Sequence, residues 1–155
     1  MDARDRSLVD AILRHKTLSH SDFRRVEQLG DDGFDHLKEV LSGSPSAQQK
    51  INGLSLLLRG GGHVSERSGT IRLPEVFDVA SKLVMDPDPA VRGSATRMIV
   101  GILGLLKQLE KPLTDVGGGK RVREILQHSL EGAPRELERK LVEKALAEIE
   151  PTLDQ

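Results

Sequence analysis

Apolar side chains recur along this chain every three or four residues, the spacing of one face of an α-helix. The pattern predicts an all-α fold of about eight helices, since no segment alternates between apolar and polar residues as a half-buried strand does. The predicted spans are 3–16, 20–29, 33–42, 46–59, 74–85, 89–110, 118–131 and 135–150. The residues expected in the core are Leu54, Leu57, Phe77, Leu83, Ile99, Ile102, Leu126 and Leu141.

Polar residues and prolines mark the predicted helix starts. Ser19 lies three residues before Asp22 and is expected to cap the second helix. Ser44-Pro45 and Asp88-Pro89 both have the order of a capping residue followed by proline at the first helical position. The glycines expected at helix ends, where a left-handed residue is common, are Gly30, Gly60 and Gly132.

A short motif occurs three times and favours a stack of helix pairs over a closed bundle. Each copy has a proline, four further residues, a basic residue and, three residues later, a small or apolar residue. The copies begin at Pro45, Pro87 and Pro134, at intervals of 42 and 47 residues. Helix pairs that repeat every 40–47 residues or so are typical of HEAT and armadillo proteins.

The middle copy, residues 86–95, resembles the HEAT-repeat signature, with an acidic turn, Val-Arg and then a small residue. The first copy has serines in place of the aspartates, and the third has no acidic residue in its turn. The resemblance extends over residues 33–150 and implies a right-handed stack of antiparallel helix pairs. It also implies that Asp86 or Asp88, together with Arg92, ties neighbouring repeats together.

This resemblance divides a single all-α domain, 1–155, into four parts. A capping helix pair is expected at the N-terminus, because the terminal units of a repeat stack present a polar outer face. The expected parts are the cap 1–30 and the HEAT-like pairs 33–60, 74–110 and 118–150.

The composition excludes several classes of function. The 155 residues include no Cys, so a disulfide, a thiolate metal site and a Cys nucleophile are excluded. With 23 basic and 24 acidic residues, no Trp and no Tyr, the chain does not have the character of a globally basic nucleic-acid binder. Residues 1–6 are charged and the longest apolar stretch, 98–106, is short, so a cytoplasmic location without membrane contact is expected.

No catalytic motif is present, and neither an enzyme activity nor a cofactor is expected. The chain has serines and five histidines but no Gly-x-Ser-x-Gly sequence. Gly119-Lys120 is similar to the end of a phosphate loop, but Thr114 and Arg121 occupy positions that require glycine and Ser or Thr. No metal site is expected either, because each histidine with acidic neighbours lacks further converging ligands. The histidines with acidic neighbours are His15 and His20 near Asp22, His63 near Glu66, and His128 between Glu124 and Glu131.

Charge is distributed unevenly along the chain. Residues 46–72 contain four basic residues and one acidic residue, whereas residues 26–45 contain one basic and five acidic residues. A second glycine-rich segment, 116–121, is also basic. The sequence therefore suggests a basic edge and an acidic edge. The residues expected to form a partner-binding basic edge are Arg59, Arg67, Arg72, Lys120, Arg121 and Arg123.

Two functions follow from this interpretation. The first is a non-catalytic protein-binding module for a partner with an acidic surface, such as an inhibitor or immunity-type protein with one target. The second is nucleic-acid or phosphate binding along the basic edge, including a role similar to that of HEAT-like DNA glycosylases. Charge reversal in the basic loops is expected to abolish binding and to leave the fold intact. A competing location is the face formed by the second helices, near Lys50, Arg97 and Arg139.

Overall fold

The computed structural model describes residues 1–152, and this part of the chain is all-helical, as predicted. The α-helices are α1 (Ala3–Leu13), α2 (His20–Glu27), α3 (Gly30–Ser42), α4 (Ala47–Gly61), α5 (Leu73–Leu83), α6 (Pro89–Gln108), α7 (Gly119–Glu131) and α8 (Glu136–Ile149). Short 3-10 turns occupy Leu113–Val116 and Glu150–Thr152. An isolated antiparallel bridge pairs Val64 with Ile71 in the loop after α4.

The chain divides into two compact units, Met1–Val79 and a second that begins at Ala80, so the boundary falls inside α5. In the first unit α3 packs along α4, and α1 and α2 each contact both of these helices. In the second unit α8 packs against both α6 and α7, and α7 contacts α6. The stack of antiparallel HEAT-like pairs stays a prediction from the sequence.

Two of the predicted caps have the expected hydrogen bonds. The Ser19 hydroxyl accepts from the Asp22 N–H at 3.1 Å, and the Asp22 carboxylate accepts from the Ser19 N–H at 2.9 Å. This reciprocal capping box satisfies two backbone donors at the start of α2. The Asp88 carboxylate accepts from the N–H groups of Ala90 and Val91 at 2.8 and 3.2 Å, which caps α6.

The cap of α4 lies later than predicted. Ser46, rather than Ser44, precedes the helix, and its hydroxyl accepts from the Gln49 N–H at 3.2 Å. The Gln49 side chain in turn accepts from the Ser46 N–H at 2.8 Å. The cap is at Ser46 because Gln49 completes a capping box with it. The predicted order, a cap at Ser44 followed by proline, provides no such reciprocal hydrogen bond.

The three glycines predicted at helix ends behave differently from one another. Gly30 has a φ of +58° and lies at the junction of α2 and α3, where its left-handed backbone turns the chain. Gly60 lies inside α4, so its prediction is wrong; a Cβ there would lie 3.1 Å from the Phe34 ring. Gly132 does end α7, but the left-handed residue is the next one, Ala133, with a φ of +53°.

The predicted core is confirmed except on α8. The buried residues among those predicted are Leu54, Leu57, Phe77, Leu83, Ile99, Ile102 and Leu126. Leu141 is only half-buried, and Leu137, on the same predicted apolar face, is 61% exposed. The buried face of α8 consists instead of Glu138, Val142, Ala145 and Ile149. The helix is rotated from its predicted orientation, so that a carboxylate occupies the first buried position.

Candidate functional site

The arginine at the end of the first glycine-rich loop is enclosed by carboxylates. The Arg72 guanidinium donates to Asp35 at 2.7 Å, to Asp31 at 3.3 Å and twice to Glu75, at 2.5 and 2.8 Å. Its carbon lies 4.0 Å from the centroid of the Phe34 ring, a cation–π distance. The Arg72 side chain is 14% exposed. Arg72 therefore anchors the loop to α3 and has little surface left for a partner.

Two other arginines of the predicted basic edge are paired in the same unit. Arg67 contacts Asp32, and Arg59 contacts Glu27. The prediction of a basic edge separate from an acidic edge is therefore wrong for this unit. The prediction fails because folding brings the α3 carboxylates against the loop. A count of charges along the chain does not show this contact. Charge reversal at Arg72 would consequently disturb the fold, contrary to the expectation for a solvated loop residue.

A serine completes the attachment of this loop to α3. Ser65 is 6% exposed, and its hydroxyl donates to the Asp31 carboxylate at 2.9 Å. The Ser65 N–H donates to the Thr70 carbonyl, and the Gly69 N–H donates to the Ser65 carbonyl, both at 2.9 Å. The hydrogen bond from the Ser65 hydroxyl is the main cause that holds the pKa of Asp31 below its usual value, and the Arg67 N–H and the Arg72 guanidinium act in the same direction.

The same cluster makes stability depend on pH. Its arginine hydrogen bonds lower the pKa of Glu75 to about 2, against the opposing effect of burial, and Lys38 adds a bond at 2.7 Å. Because the folded pKa lies below the ordinary 4.5, Glu75 stabilises the fold above that value and the contribution is lost as the pH falls towards about 2. The full shift corresponds to about 3 kcal/mol, but the side chain is 36% exposed, so we expect about 1–2 kcal/mol.

Urea unfolding near neutral pH and near pH ~3 tests this dependence. The wild-type chain should lose more stability between the two conditions than Glu75→Gln, which has no carboxylate to protonate. Equal losses in the two proteins would contradict the assignment.

The remaining predicted residues lie in the second unit and differ among themselves. Lys120 and Arg123 are exposed and form no ion pair with any residue in the described range 1–152. Arg121 is half-buried; its guanidinium donates to the Val116 carbonyl at 2.8 Å and approaches the Ser81 hydroxyl at 3.5 Å. The Arg121 side chain thus holds the turn before α7. A binding role for these three residues stays a prediction.

The HEAT-type tie also has a partial counterpart in this unit. The Arg92 guanidinium donates to the carbonyls of Asp86 and Pro87, at 2.9 and 3.0 Å, within its own turn. A Cβ built on Gly132, at the end of α7, would lie 3.4 Å from the Arg92 side chain. Arg92 thus braces the turn before α6 and lies beside the end of the next helix.

A cavity of about 500 Å³ lies in the second unit, between the C-terminal half of α6, the segment 111–114 and α8. This volume is within the roughly 300–1,000 Å³ of ligand-binding clefts. A second cavity, in the first unit near Phe23 and Arg59, measures about 210 Å³. The apolar walls of the larger cavity include Val100, Leu103, Leu106, Leu113, Leu141 and Ile149.

The two helices that form this cavity run side by side in the same direction. Arg97, in the first half of α6, donates to Glu138, near the start of α8, at 2.6 Å. Lys107 and Glu148, near the ends of the two helices, line the same cavity. Both helices therefore reach their C-terminal ends at the same end of the cavity.

A buried carboxylate fixes the other end of this helix pair. Glu138 is 1% exposed, and its Oε1 accepts from Arg97 at 2.6 Å and from Arg135 at 2.7 Å. The hydrogen bond from Arg135 is the main cause that lowers the pKa of Glu138, and burial opposes it. A Cβ on Gly93 would lie 3.1 Å from Glu138 Oε1, so glycine leaves room for the ion pair on α6.

Three lysines line the cavity beside its apolar walls. Lys107, Lys111 and Lys144 are exposed lining residues, and within residues 1–152 none of them forms an ion pair. One carboxylate, that of Glu148, also lines the cavity. Apolar walls with an excess of unpaired cations suit a ligand that is apolar at its centre and anionic at its edge.

Sequence reasoning named part of this face but missed its lysines. The sequence suggests Arg97 as part of a competing binding face on the second helices, yet its guanidinium is paired with Glu138. The sequence does contain a signal for these lysines, because Lys107 follows Leu103 by four residues and Lys144 follows Leu141 by three. Each lysine therefore shares a helix face with an apolar residue.

The histidines do not assemble a metal centre in the described part of the chain. His15 Nδ1 lies 3.0 Å from the Asp22 carboxylate, and His63 Nε2 lies 3.8 Å from that of Glu27. Across residues 1–152, no three His, Asp or Glu side chains are placed to hold one ion. Nor does any helix in that range have both the length and the apolar character needed to cross a membrane.

Comparisons of the chain with protein-family models, with curated proteins and with solved structures give no match. The likeness of residues 86–95 to a HEAT repeat therefore remains a resemblance of sequence.

Proposed function

We propose that the protein is a non-catalytic protein-binding module that receives a segment of another protein in the cavity between α6 and α8. The observation that carries this proposal is that three lysines line the cavity beside its apolar walls and form no ion pair within residues 1–152. A partner with an acidic surface meets both requirements, since its carboxylates pair with the lysines and its apolar side chains enter the cavity.

The surface of α8 supports the same site. Leu141 lines the cavity and is half-buried, and Leu137, one turn earlier on the same face, is 61% exposed. An exposed leucine that continues the apolar wall of a cavity gives a partner further apolar contact. An inhibitor or immunity-type protein with a single target is one form that such a module takes.

Nucleic-acid or phosphate binding is supported less well. It depended on a basic edge, and Arg59, Arg67 and Arg72 already face carboxylates of their own unit. Base stacking would also need aromatic side chains, whereas the chain has three Phe and no Trp or Tyr. A DNA affinity that falls steeply with salt would favour this alternative over protein binding.

Capture from a lysate of the native organism tests the proposal with three baits. They are the wild type, a cavity variant with Lys107→Glu and Lys111→Glu, and a control variant with Lys120→Glu and Arg123→Glu. All four side chains are exposed, and both variants change the net charge equally. Each reversal should alter stability by about 0.5 kcal/mol or less.

We expect a protein that the wild type and the control variant retain equally, and that the cavity variant retains about tenfold less, the effect of roughly 1.4 kcal/mol of lost binding energy. Equal retention by all three baits, or selective loss from the control variant, would place binding elsewhere. Selective loss from the control variant would favour the predicted edge at Lys120 and Arg123.

A further inference from the structure

We infer that the segment bound in this cavity is an amphipathic α-helix that runs antiparallel to α6 and α8 and has acidic residues in its first turn. This inference rests on the proposed function and specifies the occupant's secondary structure, direction and charge pattern.

The spacing of the cavity lining fits a helix as the occupant. Five residues of α6 line the cavity: Val100, Leu103, Gly104, Leu106 and Lys107. All of them except Leu106 lie on one face that extends over two turns. On α8 the lining residues are Leu141, Lys144, Ala145, Glu148 and Ile149, which lie on the facing side. Two helices side by side form a groove along their shared direction, and an amphipathic helix binds such a groove through residues at i, i+3, i+4 and i+7.

One small residue on each helix allows a third helix to approach closely. Gly104 lines the cavity, and a Cβ placed on it would meet nothing within 4 Å. Ala145 lines the opposite side from α8. The wall from Val100 to Lys107 is about 11 Å long at 1.5 Å per residue, so two or three apolar side chains of the occupant fit along it.

The direction of the occupant follows from the helix dipoles. Both α6 and α8 present their C-terminal, partially negative ends at the same end of the cavity. Lys107, in the last turn of α6, and Lys111, just after it, lie at this end. Glu148 of α8 lies there too, so the two lysines leave an excess of one positive charge. An antiparallel occupant places its partially positive N-terminus there, and Asp or Glu in its first turn pair with the two lysines. A parallel occupant would instead bring a third negative helix end to the first two.

Synthetic peptides of about 14 residues, an ordinary helix length, provide the probe. One has glutamates in the first turn and leucines at i, i+3, i+4 and i+7. Its control has the same composition with the order reversed, so that the glutamates occupy the last turn. Calorimetry should show the first peptide binding the wild-type chain at least tenfold more tightly than its control. The Lys107→Glu, Lys111→Glu variant should lose this preference.

The absence of Cys from the chain allows a direct measurement of direction. A reduced Lys111→Cys variant is mixed with the first peptide carrying a cysteine at either its N-terminus or its C-terminus. The peptide cysteine is activated as a mixed disulfide with thionitrobenzoate, which leaves as a thiolate when the introduced thiol attacks. We expect faster disulfide formation with the N-terminal cysteine. Equal rates, or faster reaction of the C-terminal cysteine, would overturn the direction.

Failure of this inference can be told apart from failure of the proposed function. If the cavity variant loses a captured partner but neither peptide is preferred, the helical occupant is overturned and protein binding stands. Laurate, which has an apolar chain and an anionic carboxylate, is a small-molecule probe of the same cavity. If laurate binds and neither peptide binds, the helical occupant is also overturned. If lysate capture is insensitive to the cavity variant, the proposed function itself fails.

Discussion

Truncation of Ile102 to alanine should lower the free energy of unfolding by about 2–5 kcal/mol, the range for a buried Ile or Leu that leaves a cavity behind. Ile102 lies in the middle of α6 with 0% of its surface exposed. Two opposing effects set the size of the loss, because alanine favours the helix slightly while the surrounding core loses dispersion contacts. At a fully buried position, the lost dispersion contacts outweigh the small gain in helix propensity.

Leu105→Ala is the matched control, because it truncates a side chain of the same size on the same helix. Leu105 is 37% exposed, so its loss should cost about 1 kcal/mol or less. Urea unfolding followed by far-ultraviolet circular dichroism suits a chain without Trp or Tyr. Similar losses in the two variants would mean that the buried face of α6 is assigned wrongly.

Replacement of Arg72 by alanine should destabilise the fold by about 2–3 kcal/mol, because it leaves carboxylates without their cation. The Asp31 side chain is 12% exposed and cannot regain full hydration. The same substitution removes the guanidinium from the Phe34 ring. Arg72→Lys should restore only part of the loss, since one ammonium cannot reproduce the several hydrogen bonds of a guanidinium.

Arg67→Ala provides the comparison within the same loop. Arg67 also pairs with α3 carboxylates, but its side chain is 59% exposed, so its removal should cost less than about 1 kcal/mol. Denaturation at neutral pH measures both variants. If Arg67→Ala were as damaging as Arg72→Ala, burial would not be what gives the Arg72 cluster its strength.

The helix boundaries were predictable because the interactions that set them are local. Ser19 and Asp22 lie three residues apart in the chain, and their reciprocal bonds belong to one turn. Asp88 likewise caps α6 through residues that follow it directly. Such signals can be recognised in a short window of sequence, without knowledge of the rest of the chain.

The orientation of α8 was not predictable from its apolar pattern. Its apolar residues indicate a buried face with Leu137 and Leu141, yet the structure buries Glu138. Arg97, 41 residues earlier in the chain, supplies the hydrogen bond that makes this possible. A hydrophobicity pattern treats every carboxylate as exposed, so it cannot place one that is buried beside a distant arginine.

The candidate site was only partly predictable for a similar reason. Lys107 and Lys144 share helix faces with apolar residues in the sequence, but the empty space between those faces is a property of packing. The predicted basic edge failed in the first unit because Arg72 meets Asp31 across 41 residues of chain. The net charge of a segment can be counted from the sequence, but which of its charges form ion pairs depends on the fold.

The pairing of charges between α3, the loop after α4 and the start of α5 also bears on the partner binding proposed above. Lys38, Arg67 and Arg72 face Asp31, Asp32, Asp35 and Glu75, so opposite charges lie a few ångströms apart. Opposite charges this close together cancel at a distance, so the cluster exerts little force on an approaching molecule. The cavity lysines form no ion pair within residues 1–152, so their positive charge is not cancelled in this way. Rising ionic strength should therefore slow association through the lysines, whereas the dissociation rate, which depends on the apolar walls, changes little.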